Sequence, residues 1–216
     1  MLRKLIAAMA VLAGVTACAP RVSVPTGEIG PLDSLRVLGM DDVNVQSVNA
    51  EPSPVMLRSN AGPVIVRAQV LLDRARFSVG VINGTAGKNT ELAIYWFQKS
   101  NGLPATSLLD SATYRRLMAV AGGAPVVTQV AVDADLLAGP FVVLPKNVYD
   151  QAKLRCLCYA SLTEKLAERF HTTLEMMRKL NPGIGFAALK PGDMIWVPAV
   201  ETSMTTDVRR VARIDV

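Results

Sequence analysis

Between residues 62 and 122, three short stretches place apolar residues at helical spacing, and residues that favour turns separate them. The first stretch begins at Pro63, the second runs from about Thr90 to Ser100, and the third follows Asp110, a good N-cap. Gly102 stands where a left-handed C-cap is expected. Helices this short must share one core, so the pattern predicts a small three-helix module.

The residues of this module resemble a peptidoglycan-binding domain of the three-helix type, from Ala68 to Leu117. The matching features are Gln69 and Leu72, Ile82-Asn83-Gly84 with Gly87, Phe97-Gln98-Lys99-Ser100-Asn101-Gly102-Leu103-Pro104, and Leu109-Asp110-Ser111-Ala112-Thr113. The resemblance implies that residues 62–122 bind peptidoglycan as their partner. Phe97 is expected in the core, whereas Tyr95 and Trp96 lie off the apolar face. An exposed ring at Trp96 can stack on a sugar or cover a domain interface, and the sequence leaves both open.

A second module is predicted over residues 156–200. Ser161 with Glu164, and Thr172 with Glu175, have the spacing of capping boxes at the start of two helices. Asp193–Pro198 alternates as a strand after a Pro-Gly turn, and Lys153–Cys158 is the candidate for the first strand. The predicted order is therefore strand, helix, helix, strand.

This order resembles a LysM domain, and the most specific segments are Leu166–Phe170, Leu180–Gly183 and Leu189–Pro198. The resemblance implies a shallow groove between two loops that binds polymers containing N-acetylglucosamine. The implied contact residues are Tyr159, Ala160, Ser161 and Leu162 in one loop, and Asn181, Pro182, Gly183 and Ile184 in the other. The first loop departs from the Gly-Asp-Thr type sequence of the family, so a LysM-shaped spacer is the alternative.

The N-terminus has the features of an export signal. Arg3 and Lys4 precede an apolar stretch too short to span a bilayer comfortably, and Val15-Thr16-Ala17-Cys18 resembles a bacterial lipobox. The resemblance implies that residues 1–17 are removed and that Cys18 is lipidated, which anchors the chain to a membrane facing the periplasm. Ala19 favours the outer membrane. An ordinary secretory signal cleaved after Ala17 is the alternative.

The remaining segments are predicted to connect these parts. Residues 18–61 contain several prolines and no aromatic residue, which indicates a flexible tether. Residues 123–155 are interpreted as a connector, with strand candidates at Val126–Val132 and Phe141–Leu144 and a helical turn after Asn147. Residues 201–216 form a tail.

Charge and chemistry exclude several classes of function. The formal charge of +5 falls to +3 without Arg3 and Lys4, and no basic stripe interleaved with aromatics indicates nucleic-acid binding. His171 is the single histidine, and its spacing to Cys156 and Cys158 does not indicate a zinc site. A disulfide across that short loop would be strained, so the two cysteines are expected as thiols on alternating faces of a strand, with pairing to another chain as an alternative. No cofactor is expected.

The order of modules is similar to the N-terminal half of certain periplasmic L,D-transpeptidases, but the His and Ser-x-Gly-Cys-x-Arg segments of their catalytic domain do not appear. Acyl transfer would lack its nucleophile and base. We therefore expect an α+β protein that binds peptidoglycan without catalysis. One alternative is a truncated or split L,D-transpeptidase that retains only its wall-binding half and works with a separate catalytic chain. Another is a structural lipoprotein that binds an envelope protein.

Overall fold

A computed structural model describes residues 37–200 of the 216-residue chain, except 55, 56, 58, 123 and 124. Within this part, the fold is a set of helices with one two-stranded antiparallel sheet, which confirms the α+β class. The helices are α1 (Val45–Asn49), α2 (Pro63–Arg74), α3 (Lys88–Ser100), α4 (Ser111–Ala121), α5 (Ala134–Leu137), α6 (Val148–Gln151), α7 (Leu162–Arg169) and α8 (Leu174–Leu180). The strands are β1 (Val127–Ala131) and β2 (Met194–Pro198), and short 3-10 turns cover Met40–Asp42 and Phe186–Ala188.

Helices α2, α3 and α4 form the predicted three-helix module. Phe97 is fully buried and packs edge to face against Phe77, with ring centroids 5.4 Å apart. Pro63 occupies the first position of α2, and the Asp110 side chain accepts a hydrogen bond from the Thr113 amide at the start of α4. The residues that mark helix starts in the sequence are therefore found at the starts of α2 and α4 in the structure.

A buried glutamine on α3 fixes the loop between α3 and α4. The Gln98 side chain is fully buried, and its Oε1 accepts hydrogen bonds from the amides of Thr106 and Ser107. Its Nε2 donates to the carbonyl of Leu108 and to the hydroxyls of Thr106 and Thr113. One side chain thus satisfies polar groups of a loop that has no regular secondary structure.

The second module has its first strand in a different place from the prediction. β1 pairs with β2 in antiparallel register, from Val127 opposite Pro198 to Ala131 opposite Met194, so the predicted strand at Lys153–Cys158 is wrong. Cys156 and Cys158 are joined by a disulfide, which also corrects the expectation of thiols on alternating faces. Their Cα atoms are 5.2 Å apart, less than the roughly 6.6 Å that two residues of a strand span.

The first strand of the second module therefore lies within residues 123–155, the segment predicted as a connector. The sequence order strand, helix, helix, strand is present as β1, α7, α8 and β2, but its first strand comes from the predicted connector. Residues 132–161 are inserted after β1, with α5 and α6 inside the insertion. The predicted strand at Phe141–Leu144 is irregular, and Val143 is 86% exposed.

Helix α8 contributes side chains to the cores of both modules. Met176 and Leu180 of α8 join the core built by α2 and α3, whereas Met177 joins the core under the β-ribbon. The Ile82 amide donates to the carbonyl of His171, and the Thr172 hydroxyl donates to the carbonyl of Ile82. Thr172 is therefore not the helix cap that its spacing predicts; Thr173 caps α8 by accepting from the Met176 amide.

The described part of the predicted tether, residues 37–61, is packed against the first module. Val43, Val48 and Leu57 are buried in its core, and residues Val45–Asn49 form α1. A few apolar residues are enough to order this segment, because they are buried against a surface that the module already provides. Their burial offsets the conformational entropy that the segment loses. Gly62 shows how close the approach is: its φ is +105°, and a Cβ there would lie 2.7 Å from the Leu38 carbonyl oxygen.

Replacing Asn49 tests whether this segment is structural. Its Oδ1 accepts from the amides of Val126 and Val127, and its Nδ2 donates to the Val127 carbonyl, so one side chain joins α1 to β1. Asn49→Ala leaves these groups without partners and is expected to lower the free energy of unfolding by about 2 kcal/mol, measured by urea denaturation. Asn60→Ala, at an exposed amide in the same segment, is the control. Equal stability of both variants would contradict a packed segment.

No helix among the described residues is long and apolar enough to cross a membrane.

Candidate functional site

The first candidate site is a cleft of about 360 Å³ in the three-helix module, which we call the α3 cleft. It lies between the loop after α2 and the first turn of α3. Its lining residues are Gln69, Val79, Val81, Asn83, Thr85, Gly87, Lys88, Asn89 and Thr90. Its volume falls within the range of small-ligand sites, about 300–1,000 Å³.

A second buried glutamine holds the wall of the α3 cleft. Gln69 Oε1 accepts from the amides of Asn83 and Gly84 at 3.1 and 2.9 Å. Its Nε2 donates to Asn83 Oδ1, to the Thr85 carbonyl and to the Thr90 hydroxyl. The loop around Gly84 is therefore fixed to α2 and α3 by side-chain hydrogen bonds, and the polar groups that face the cleft are held in place before any ligand binds.

A line of exposed side chains continues from the α3 cleft along α3. Asn89, Leu92, Trp96 and Lys99 stand at positions i, i+3, i+7 and i+10, which places them on one face of the helix. Trp96 is 51% exposed, and the Lys99 ammonium lies 4.9 Å from its ring centroid. We call these four residues the α3 stripe. Asn89 and Trp96 are about 10 Å apart along the axis, at about 1.5 Å per residue.

The second candidate site is a cleft of about 390 Å³ on the outer face of the β-ribbon, which we call the ribbon cleft. Its lining residues are Asn44, Val45, Gln46, Gln129, Lys179, Leu180, Asn181, Pro182, Ile184, Met194 and Trp196. Sequence reasoning missed the part supplied by residues 44–46 and Gln129, because these fall in the predicted tether and connector. No local pattern marks them, since only the packing of α1 against β1 brings them together.

The two loops expected from the LysM resemblance have different surroundings. Asn181, Pro182 and Ile184 line the ribbon cleft, and Gly183 beside them is exposed with φ +81°. Residues 159–162 line neither of the two clefts. The Tyr159 carbonyl accepts from the Val142 amide, the Ala160 amide donates to Glu164, Ser161 is the N-cap of α7, and Leu162 is its first residue.

The Asn181 side chain has a structural role. It is buried, its Oδ1 accepts from the Trp196 amide at 2.7 Å, and its Nδ2 donates to the carbonyls of Trp196 and Met177. These three bonds join the end of α8 to β2 and use the hydrogen-bonding capacity of the amide. A ligand at the ribbon cleft would therefore bind other polar groups.

A buried arginine fixes residues 48–51 over the first module. Arg67 Nε donates to the Tyr114 hydroxyl at 2.7 Å, and its guanidinium also contacts the carbonyls of Val48 and Asn49 and the carboxylate of Glu51. Burial raises the pKa of the Tyr114 phenol, and the hydrogen bond from Arg67 opposes that rise. The network stabilises the scaffold on the side of α2 that faces α1.

The sequence analysis considered one histidine and two cysteines as reactive groups or metal ligands, and each of these side chains contacts another protein side chain. His171 Nδ1 lies 3.1 Å from Asp73 Oδ1, and Cys156 and Cys158 are bonded to each other. In the part of the chain that the structure describes, no group of three or more His, Cys, Asp or Glu side chains could hold a metal ion. Cys18, the predicted lipidation site, lies outside the described residues, as do the predicted signal peptide (residues 1–17) and the predicted tail (residues 201–216).

Comparison with known proteins identifies the first module. Residues 61–117 match the model of the family described as "Putative peptidoglycan binding domain". No curated protein matches the chain. The match begins just before α2 and ends within α4, so it contains the α3 cleft and the α3 stripe. Residues 61–117 of this chain are therefore similar to that family, which supports association with the cell wall.

Proposed function

We propose that this chain binds peptidoglycan through the α3 cleft and the α3 stripe. The observation that carries the proposal is the family match, which covers both surfaces. The Gln69 network adds support, because it orders the cleft wall before a ligand arrives and so lowers the entropic cost of binding.

The chemistry of this surface suits a wall polymer. The cleft offers the side-chain amides of Asn83 and Asn89, and the stripe adds an indole and an ammonium group. Peptidoglycan combines sugar rings, amides and carboxylates. The amides can hydrogen-bond to acetamido and peptide groups, Trp96 can pack against a sugar ring, and Lys99 attracts anionic stem peptides.

Cosedimentation with purified sacculi tests the proposal. The purified chain is mixed with insoluble peptidoglycan at low salt, and the bound fraction is measured over a range of sacculus concentrations. We expect saturable retention that soluble muramidase-released fragments reduce. A chain that stays in the supernatant at every sacculus concentration would end the proposal.

Trp96→Ala tests the stripe. Because Trp96 is half exposed, we expect little change in folding and about tenfold weaker retention on sacculi, equivalent to about 1.4 kcal/mol. Val120→Ala removes an exposed apolar side chain from α4 and is the matched control. Unchanged retention of the Trp96 variant would assign that ring to another contact, such as a protein interface.

The finer parts of the proposal concern anchoring and the second module. We propose that Cys18 carries a lipid anchor, that the anchor lies in the outer membrane, and that β1, α7, α8 and β2 form a LysM-type module. Mass spectrometry of the membrane-extracted protein tests the anchor through the added mass of acyl chains on an N-terminal cysteine.

We also propose that the chain has no catalytic activity and that a separate transpeptidase is a partner. The purified chain should give no turnover of tetrapeptide donors, and it should pull that enzyme from envelope extracts.

A further inference from the structure

Residues 140–158, within the insertion after β1, present large apolar side chains to solvent, and we call this segment the exposed loop. None of its residues is buried, so the loop has no core of its own. Its exposed large apolar side chains are Phe141, Val143, Val148, Tyr149 and Leu157. Val148 and Tyr149, adjacent in α6, are 71% and 81% exposed. Apolar side chains concentrated in one exposed segment mark a surface that contacts a partner.

Hydrogen bonds fix the path of the exposed loop. The Val142 amide donates to the Tyr159 carbonyl at 2.9 Å, which brings the two ends of the loop together. Gln151 Nε2 donates to the Pro145 carbonyl at 2.7 Å, which closes the turn that contains α6. The apolar side chains therefore belong to one closed loop, and little further ordering is needed when that loop contacts a partner.

The charges of the exposed loop favour an anionic partner. The loop carries three cations, Lys146, Lys153 and Arg155, and a single carboxylate, Asp150. That carboxylate lies 2.8 Å from the Lys153 ammonium, so no carboxylate within the loop is left to neutralise the other two cations. A cluster of cations attracts a negatively charged surface.

A bilayer surface fits this combination of side chains better than a small ligand or a protein does. No residue of the exposed loop lines the α3 cleft or the ribbon cleft. Lysine is depleted from protein interfaces, whereas a membrane combines an apolar interior with anionic headgroups. Aliphatic side chains can enter the acyl boundary, tyrosine is favoured at the level of the headgroups, and Lys and Arg attract anionic lipids.

We infer that the exposed loop docks on the surface of an anionic phospholipid bilayer. Val148 and Tyr149 enter the interface between headgroups and acyl chains, and Lys146 and Lys153 bind headgroup phosphates. The inference goes beyond peptidoglycan binding and does not depend on the lipid anchor proposed at Cys18. It gives the folded part of the chain a membrane contact of its own.

A tryptophan placed in the exposed loop tests this inference locally. The full chain carrying Trp96→Phe and Tyr149→Trp is titrated with vesicles of phosphatidylglycerol and phosphatidylethanolamine. We expect a saturable blue shift of the emission and quenching by brominated acyl chains, with no change on phosphatidylcholine vesicles. Leu108→Trp in the same Trp96→Phe background is the matched control, because Leu108 is 69% exposed in the loop between α3 and α4. Trp196 contributes the same background signal to both chains, and the control should not shift.

A pair of lysine substitutions tests the electrostatic part. In the Tyr149→Trp chain, Lys146→Gln with Lys153→Gln should weaken partitioning into the anionic vesicles at least tenfold, because lysines near an anionic surface add to the attraction. Both lysines are exposed, so folding should be unchanged. Arg115→Gln with Lys190→Gln removes two exposed cations from other parts of the chain and should leave partitioning unchanged.

The outcomes separate this inference from the proposed function. Emission at position 149 that does not change with anionic vesicles would overturn the membrane contact and leave a protein surface as the partner of the loop. Equal shifts at positions 149 and 108, equal shifts on neutral vesicles, or a double lysine variant that partitions as tightly as its parent would also overturn it. Loss of sacculus retention with the response at position 149 intact would refute the proposed function alone.

Discussion

Gln69→Leu is expected to lower the free energy of unfolding by about 3 kcal/mol and to abolish retention on sacculi at temperatures where the variant remains folded. The substitution keeps the apolar bulk of the side chain but removes both hydrogen-bonding atoms. The amides of Asn83 and Gly84 and the hydroxyl of Thr90 then lose partners. Gly84 and Thr90 are buried, so water does not replace those bonds, and each orphaned group costs about 1–3 kcal/mol.

Chemical denaturation gives the stability of this variant, and cosedimentation below its unfolding transition gives its binding. Gln46→Leu is the control for stability, because the side chain of that glutamine is exposed and makes no hydrogen bond within the described residues. Its free energy of unfolding should stay within about 0.5 kcal/mol of the parent. A Gln69 variant as stable as the Gln46 variant would show that the loop does not depend on this side chain.

Arg67→Met is expected to destabilise the protein by about 3 kcal/mol and to loosen residues 48–51. Replacement of a buried charge by an apolar side chain can be neutral where both partners are removed. Here the carbonyls of Val48 and Asn49 and the Tyr114 hydroxyl remain, and they lose their donor. The ion pair with Glu51 contributes little, because that carboxylate is 65% exposed.

Hydrogen exchange and urea denaturation test this prediction together. The Val48 amide, which bonds to the Asn44 carbonyl within α1, should exchange faster in the Arg67 variant, whereas amides in the middle of α3 should follow the global stability. Arg115→Met, at an exposed position on α4, is the matched control and should leave both measurements unchanged. Unchanged exchange at Val48 in the Arg67 variant would mean that α1 is held by other contacts.

The sequence predicts the first module well because its signals are local. Pro63, Asp110 and Gly102 mark helix ends, and apolar residues such as Phe97 recur at helical spacing, so each helix is defined by residues close to it in the chain. The glutamines at 69 and 98 are recognisable in the resemblance, but their role is not, because their partners belong to loops whose path depends on the folded core.

The rest of the fold depends on long-range pairing. β2 is predictable from its own pattern, but its partner β1 lies more than sixty residues earlier, and a nearer segment with a strand-like pattern is joined by a disulfide instead. The described residues between 37 and 61 look like a tether because their composition cannot form a core alone. They are ordered by a surface that belongs to another segment, and Asn49 connects to β1 across 78 positions. The ribbon cleft could not be predicted from the sequence for the same reason, because three segments that are distant in the chain form it.

A backbone amide NMR map most directly tests the claim that the matched domain binds peptidoglycan at the α3 surface. The labelled chain is titrated with soluble fragments released from sacculi by muramidase, and the shift of each amide is followed. We predict saturable shifts concentrated in residues 79–96, with the amides of α4 unmoved. Shifts absent from residues 79–96, under conditions in which sacculi retain the chain, would contradict this assignment.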